Sequence, residues 1–269
     1  LTDDLAMMEA AYRICNRNPL GSAAGYGSSF PLDREMTTRL LGFDSMAYNV
    51  VYAQMGRGKT ERVLAQAMSA VAATLNKLAT DNCLFLSQNF AFIAYPPELT
   101  TGSSIMPHKK NPDVWELLRS KCNRLMALPN EISMMTTNLP TGYFRDLQLL
   151  KEVLFPAIQT LKECVGMADY MLRHIEVKRD ILSDPKYDYL FSVEVVNRLA
   201  LSGVPFREAY RQVGLAIENG TYRPEREVHH THAGSIGNLC LDRVNEQMEA
   251  ILARFDFERF IRAEEELTR

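Results

Sequence analysis

The chain has 269 residues, 46% of them hydrophobic, which is enough to bury a sizeable core in one large domain or in one large and one small domain. Its net charge is −3 and its lysines and arginines are spread along the chain, which argues against a surface for nucleic acid. No basic, apolar leader opens the sequence and its longest helical stretch carries charges, so we expect no membrane segment.

The chain begins with an amphipathic helix, predicted over residues 1–15. It starts at Leu1 without a methionine, and we expect further sequence before it. A loop rich in glycine and serine follows from Asn18 to Pro31. This loop is longer than most connections and has apolar side chains between its glycines, which favours an ordered functional loop over a flexible linker.

A long helix is predicted from Thr60 to Tyr95, because this stretch has no Gly or Pro and its apolar residues recur every three or four positions. As one helix it would be roughly 54 Å long, whereas a compact domain of this size has a radius of gyration of about 18 Å. The stretch is also rich in small residues, which let helices approach closely: Ala65, Ala67, Ser69, Ala70, Ala72 and Ala73. We therefore expect a bundle of long helices that is shared between subunits.

A second long helix is predicted to begin at Asn111-Pro112-Asp113 and to run to about Thr137. Asn is a good capping residue, Pro fits the first helical position, and Asp suits the positive end of the helix dipole. A loop over residues 98–111 separates this helix from the first one.

A third long helix is predicted from about Asp146 to His174, with a kink near Pro156. Beyond it the helical patches shorten and turn residues become frequent, and strand patterns are nearly absent throughout. The sequence therefore predicts an all-α fold. Residues 1–179 are expected to form a long-helix bundle domain, and residues 180–269 a small C-terminal helical domain.

The segment T-G-S-S-I-M-P-H-K-K-N-P-D, Thr101 to Asp113, gathers groups suited to negative charge. It combines two serine hydroxyls, two lysines and the start of a helix, whose free N–H groups and dipole favour an anion. Such a loop fits the removal of a proton next to a carboxylate, because preorganised donors and cations stabilise the dianion that develops. Lys109 and the amides near Ser103 are candidates for this stabilisation, and Ser103 or Ser104 for the base.

The same segment resembles the signature of the fumarase/aspartase superfamily, which runs G-S-S-x-M-P-x-K-x-N, and every fixed position matches. Within that superfamily, K-K-N-P-D after M-P resembles the argininosuccinate lyases. So do the early loop N-P-L-G-S-A-A-G-Y-G-S-S-F-P-L-D-R-E and the segment G-Y-F-R-D-L-Q-L-L-K, Gly142 to Lys151. The resemblance covers essentially the whole chain.

The resemblance implies a role for seven residues. Ser103 matches the catalytic serine, and Lys109 and Asn111 match residues that hold the carboxylates of the substrate. Arg57 corresponds to an arginine that contacts the substrate. The residues that match those binding the arginine part of argininosuccinate are Tyr143, Gln148 and Lys151, with Lys151 pairing with its α-carboxylate.

The resemblance also implies an assembly and a reaction. The expected assembly is a cytoplasmic homotetramer with a shared helical bundle, whose active sites are each built from three subunits. The expected reaction is the reversible elimination of argininosuccinate to L-arginine and fumarate in arginine biosynthesis, without metal or organic cofactor. The five cysteines are odd in number and far apart, typical of reduced thiols in such a compartment.

The sequence departs from the family pattern in two respects. Position 108 is His in place of Gln, at a variable position of the signature. The family's catalytic histidine, in a G-x-T-H-x-Q motif, and its N-terminal motifs for the fumarate end of the substrate are absent. We therefore expect the 269-residue chain to be inactive by itself.

Several alternatives stay open. A sister lyase would act on adenylosuccinate, aspartate or malate, and a crystallin-like structural protein would use the same fold without catalysis; the intact Ser103 and Lys109 argue against the latter. A serine nucleophile with a His–Asp pair would predict a G-x-S-x-G elbow, which the sequence lacks. No metal site is expected, because the histidines at 229–232 have no cysteine or carboxylate at the usual ligand spacing.

Overall fold

A computed structural model describes all residues from Leu1 to Arg269 and shows a helical protein. The α-helices are α1 (Thr2–Cys15), α2 (Arg34–Leu40), α3 (Val50–Met55), α4 (Lys59–Leu86), α5 (Asp113–Met135), α6 (Leu150–Arg173), α7 (Ser192–Leu201), α8 (Phe206–Glu218), α9 (Leu241–Leu252) and α10 (Phe257–Leu267). Strand structure is limited to two short pairs: β1 (Arg17–Asn18) runs parallel to β2 (Ser45–Met46), and β3 (Ile93–Ala94) antiparallel to β4 (Glu176–Val177). The predicted all-α class is confirmed. None of the helices combines the length and the apolar composition that a membrane crossing requires.

The chain divides into two compact units. The first comprises Leu1–Phe90, Tyr95–Ile175 and Asp242–Arg269, and the second Ala91–Ala94 and Glu176–Leu241. The last two helices thus group with the long helices, whereas the sequence-based division placed all of residues 180–269 in one small domain. Aromatic contacts explain the difference: the ring of Tyr12 on α1 lies 5.2 Å from that of Phe255 and 5.4 Å from that of Phe257. Contacts between such distant parts of the chain leave no local pattern.

The core of the first unit lies between three long helices. α4 and α5 run antiparallel: Asn76 on α4 donates to the carbonyl of Arg119 on α5 at 3.0 Å, and Gly58 before α4 packs against Thr136 after α5. α6 packs against both. The residues buried on these helices include Ala65, Ala67, Met68, Ala72, Leu75, Ala79, Trp115, Leu118, Cys122, Leu125, Leu128, Ile132, Leu154, Leu161, Cys164 and Ala168. The predicted use of small residues on α4 is therefore confirmed within one chain.

The first long helix ends at Leu86, not at Tyr95 as the sequence predicts, so its 28 residues span roughly 42 Å. Ser87 leaves the helical conformation, with φ −58° and ψ 150°, and its hydroxyl donates to the carbonyl of Leu84 at 2.6 Å. The chain then doubles back, and the buried hydroxyl of Tyr95 donates to Oδ1 of Asn82 at 2.7 Å. The positions of Gly and Pro do not predict where α4 ends, because Ser87 and the buried Tyr95 end the helix.

The other two long helices lie near their predicted bounds. α5 covers Asp113–Met135, close to the predicted 111–137. α6 begins at Leu150 and not at Asp146, because Arg145–Gln148 form a 3-10 turn before it. The helix continues through Pro156.

The second unit has its own apolar cluster between α7 and α8, formed by Val196, Ala209, Val213 and Tyr222. A long connection without regular structure follows α8, and Nε2 of His230 lies 3.0 Å from Oε1 of Glu194 on α7. Gly237 is needed there, since a Cβ atom at this position would lie 2.0 Å from the carbonyl oxygen of His230.

Candidate active site

The loop of residues 101–111, called here the signature loop, is closed at its base. The amide of Asn111 donates to the carbonyl of Thr101 at 2.8 Å, and the reciprocal bond measures 3.3 Å. The hydroxyl of Thr101 donates to the carboxylate of Asp113, in the first turn of α5. Residues 102–110 therefore form a closed loop at the N-terminal end of α5.

The expectation that Asn111 caps α5 is wrong. The residue before the helix is Pro112, and no side chain caps the first turn. The side-chain amide of Asn111 donates instead to the carbonyl of Gly102, at 3.3 Å, which fastens the two arms of the loop together. The first amides of α5 are therefore left without a side-chain acceptor at the end of the helix that favours anions.

Ser103 has an environment that suits a reacting hydroxyl. Its Oγ accepts hydrogen bonds from the amides of Ile105, at 3.2 Å, and Met106, at 3.0 Å. Two N–H donors aimed at one oxygen stabilise negative charge on it. The side chain is half-buried, so a ligand can reach it. The neighbouring Ser104 is exposed and receives no such pair of donors.

Lys109 supplies the positive charge of the loop. Its amide donates to the carbonyl of Met106 at 3.0 Å, on the turn that follows that of Ser103, and its side chain is exposed. His108 and Lys110 on either side are exposed as well. The loop thus carries two lysines and no carboxylate, which favours an anion.

Two buried aromatic residues fix the base of the signature loop. The rings of Tyr95, before the loop, and Trp115, after it, have centroids 6.4 Å apart. Burial raises the pKa of Tyr95 above its usual value, so the phenol stays protonated and donates to Asn82. Trp115 is fully buried, and its Nε1 has no hydrogen-bond partner. Buried aromatic side chains therefore anchor the backbone on both sides of the signature loop.

Three predicted binding residues form a second cluster, after α5. Tyr143 precedes the 3-10 turn, Gln148 ends it, and Lys151 lies in the first turn of α6. All three side chains are exposed, whereas Leu147 and Leu150 between them are buried. Because Gln148 and Lys151 are three residues apart, they share one exposed side of the chain.

Arg57 lies against the same segment, but its guanidinium contacts protein groups. Its Nε lies 3.1 Å from Oε1 of Glu61, and its Nη2 donates to the carbonyl of Leu147 at 3.1 Å. A cavity of about 140 Å³ beside it is also lined by Gln54 and Thr136. The structure thus brings Arg57 to the segment between Tyr143 and Lys151, with its charge already paired by Glu61.

The two clusters lie at opposite ends of α5. The signature loop directly precedes the helix, and the segment from Tyr143 to Lys151 follows its other end. The 23 residues of α5 make it roughly 35 Å long. One chain therefore does not bring Ser103 and Lys151 into a common site.

No group of three or more His, Cys, Asp or Glu side chains is arranged to hold a metal ion. His230 pairs with Glu194 at 3.0 Å, and His229 lies 3.2 Å from Glu227. These histidines thus have single carboxylate partners in a polar segment.

Known proteins resemble this chain in sequence. Residues 1–127 match the family model described as Lyase. The argininosuccinate lyase of Parabacteroides distasonis is 62% identical over 267 residues, which cover 99% of this chain and 60% of the relative. This chain is therefore similar to argininosuccinate lyases over nearly its whole length. The argininosuccinate lyase of Thermotoga neapolitana, a more distant relative, is 38% identical over 79% of this chain and 54% of its own length.

Solved structures show the superfamily fold. EDDS lyase, solved in complex with formate, superposes with a TM-score of 0.76 at 20% sequence identity, over 99% of this chain and 61% of that one. The chain spans about 60% of the length of two curated relatives, the argininosuccinate lyases of P. distasonis and Phocaeicola vulgatus.

Reasoning from sequence missed three residues whose contacts support the candidate site: Gln54, Asn82 and Tyr95. Asn82 left a signal, because it is a polar residue in the apolar stripe of α4 and is only 5% exposed. Gln54 lies on the six-residue α3, which is too short for a periodic pattern to stand out. Tyr95 was assigned to a helix that ends before it.

Proposed function

We propose that this chain carries the serine loop and the arginine-binding segment of an argininosuccinate lyase. Such an enzyme cleaves argininosuccinate reversibly to L-arginine and fumarate, here in cytoplasmic arginine biosynthesis and without metal or organic cofactor. The observation that carries the proposal is the 62% identity with the argininosuccinate lyase of P. distasonis across 99% of the chain. The geometry of the signature loop supports the same chemistry.

In the proposed reaction, Ser103 acts as the base. Its alkoxide takes a proton from the succinate carbon that does not bear the nitrogen, and the electron pair left behind forms the dianion of the carboxylate on that carbon. Lys109 and the free amides at the start of α5 stabilise this dianion. The C–N bond then breaks, the electrons form the double bond of fumarate, and the departing nitrogen takes a proton to give arginine. Asn111 assists by holding a substrate carboxylate beside the loop.

The arginine end of the substrate is assigned to the second cluster. Lys151 pairs with the α-carboxylate, since a lysine at the exposed start of α6 is a free cation near a helix N-terminus. Tyr143 and Gln148 add hydrogen bonds from the same exposed side. This division leaves one charged group for each end of the substrate.

The proposed enzyme is a homo-oligomer, most simply a tetramer. Roughly 35 Å of α5 separates Ser103 from Lys151 in one chain, which is longer than an arginine joined to a succinate. A complete site must therefore combine the signature loop of one copy with the arginine-binding segment of another. The long helices also expose large apolar side chains that a bundle would cover: Leu84, Leu117, Met134, Phe155, Val165, Met167 and Tyr170.

A substrate comparison tests the proposal. The intact gene product is assayed for fumarate release, by ultraviolet absorbance, from argininosuccinate and adenylosuccinate and from aspartate and malate. We expect release from argininosuccinate alone. Release from one of the other substrates alone would identify a sister lyase, and release from none would favour a structural protein on the lyase fold.

A further inference from the structure

Two side chains of the short stretch from Gln54 to Gly58 hold the proposed arginine-binding segment, Gly142 to Lys151, by hydrogen bonds to its backbone. Nε2 of Gln54, on α3, donates to the carbonyl of Gly142 at 3.3 Å, and Nη2 of Arg57 donates to the carbonyl of Leu147 at 3.1 Å. Both partners lie about ninety positions further along the chain. The two acceptors lie just before Tyr143 and just before Gln148, and all four contacting residues line the cavity of about 140 Å³.

The two acceptors have a specific relation to the proposed binding residues. The carbonyl of Gly142 belongs to the peptide group that precedes Tyr143, and the carbonyl of Leu147 to the one that precedes Gln148. Because a peptide group is planar, fixing its oxygen also fixes the direction in which the next residue leaves it. Each bond therefore sets the backbone from which one proposed substrate-binding side chain projects.

The position of Gln54 shows that this bond matters to the structure. The residue is only 9% exposed, and a buried amide is costly unless it is hydrogen-bonded. Gly142 has φ +146°, a backbone conformation that side chains rarely adopt. A segment that begins in such a conformation depends on outside contacts to hold its course.

Arg57 is held from its other side by Glu61. One carboxylate oxygen of Glu61 lies 3.1 Å from Nε of Arg57, and the other accepts from the amide of Gly58 at 2.7 Å. The guanidinium is thus fixed by a group that is itself tied to the start of α4. Its charge is compensated within the protein, which disfavours a direct ion pair with a substrate carboxylate.

We propose that Gln54 and Arg57 are positioning residues, which form a clamp on Gly142 and Leu147 and thereby set the affinity of the site for the arginine end of its substrate. This inference rests on the proposed function, and it gives Arg57 a role other than substrate contact. It makes the short stretch from Gln54 to Gly58 the part of the fold that aligns Tyr143 and Gln148.

Hydrogen exchange of the segment tests the clamp without reference to activity. Gln54→Met removes the donor at nearly constant size, and Arg57→Lys keeps the charge but loses the planar fork that reaches two partners at once. In each variant the amides of residues 143–149 should exchange about three to ten times faster, as expected when one hydrogen bond is lost. Gln159→Met is the matched control, because Gln159 also donates at 3.3 Å, to Glu163 on α6, but lies away from the segment.

Kinetics of the intact gene product supply the second readout. Both variants should raise KM for argininosuccinate about three- to tenfold while kcat changes less, because the reacting end of the substrate is held elsewhere. Unchanged exchange in the two variants would overturn the clamp, and so would faster exchange with an unchanged KM. A loss of activity confined to Arg57→Lys, with normal exchange, would show direct substrate contact instead. If the parent protein released no fumarate at all, the proposed function would fail while exchange still decided whether the clamp exists.

Discussion

The hydroxyl of Ser103 is the group on which the proposed chemistry depends. In the intact gene product, Ser103→Ala should lower kcat by a factor of about 10² or more, the range for loss of a general base, while argininosuccinate still binds. Binding persists because Lys109 and the helix N-terminus remain. Single-turnover measurements of fumarate release, alongside calorimetric binding, check both parts.

Ser104→Ala is the control for this change. Ser104 neighbours Ser103 but lacks its two amide donors, so the control should keep nearly normal turnover. If Ser103→Ala and Ser104→Ala had the same kcat, Ser103 would not be the base.

Lys151 should determine how tightly the arginine end is held. Lys151→Met removes one charge-assisted hydrogen bond, so affinity for arginine and for argininosuccinate should fall together, by about ten- to a hundredfold. Fumarate binding should change little, because that group is held at the signature loop. Lys162→Met, an exposed lysine further along α6, should leave both affinities as they were. Equal arginine affinity in the Lys151 variant and the parent protein would contradict the assigned role.

Sequence reasoning can name some single side chains and not others. Ser103 and Lys109 are predicted from one continuous segment, and the structure places both on one loop, with two amide donors at Oγ of Ser103. The clamp was not visible in this way. Arg57 donates to the backbone carbonyl of Leu147. Every residue has such a carbonyl, so no sequence motif identifies this partner.

Among the helices, the start of α4 depends on a glycine. Gly58 has φ +81°, and a Cβ atom there would lie 2.5 Å from Cγ2 of Thr136, so Gly58→Ala combines an unfavourable backbone with a steric clash. We expect the free energy of unfolding to fall by about 1–3 kcal/mol, the usual cost of overpacking. Urea unfolding followed by circular dichroism measures this.

Gly214→Ala is the matched change for that experiment. Gly214 lies inside α8 with no atom near its missing Cβ, so alanine should stabilise the helix by about 0.5–1 kcal/mol. Opposite signs in the two variants would show that close approach, and not glycine content, sets the packing of α4 on α5. A neutral Gly58→Ala would mean that Thr136 moves aside at little cost.

Helix bounds were predictable where local chemistry defines them and not where tertiary contacts do. α5 follows its apolar period to within two residues at each end, since a loop precedes it and polar residues follow it. The predicted end of α4 is wrong because the chain turns back after the helix. This lets the hydroxyl of Tyr95 donate to Asn82 in the protein interior. The grouping of α9 and α10 with the long helices depends on aromatic contacts to Tyr12, which are equally invisible to a local reading.

Taken as one body, the first unit holds two halves of a proposed site that face different ends of the same helix. The sequence predicted sharing between subunits from the length of α4, but α4 ends at Leu86 and is shorter than predicted. The separation along α5 supports sharing instead, because both ends of α5 are fixed by contacts. It also means that catalysis and self-association should be lost together when the long-helix faces are disturbed.

The 269-residue chain studied alone should fold and self-associate, yet show essentially no lyase activity. Folding is expected because α4, α5 and α6 bury a continuous core, and association because their outer faces expose large apolar side chains. Inactivity is expected because the sequence lacks the G-x-T-H-x-Q motif with the catalytic histidine, so Ser103 has no acid–base partner. Removing one member of a catalytic constellation typically costs several powers of ten in rate.

Light scattering and an argininosuccinate assay on one sample check these expectations together. A species of about four chains without fumarate release is the expected result. Robust turnover would show that the chain supplies its own acid, and His232, exposed on the connection before α9, is the candidate. His232→Gln in the same sample would then abolish the activity. A stable monomer would instead contradict the shared bundle. In a monomer the two halves of the site, roughly 35 Å apart, could not bind one substrate molecule together.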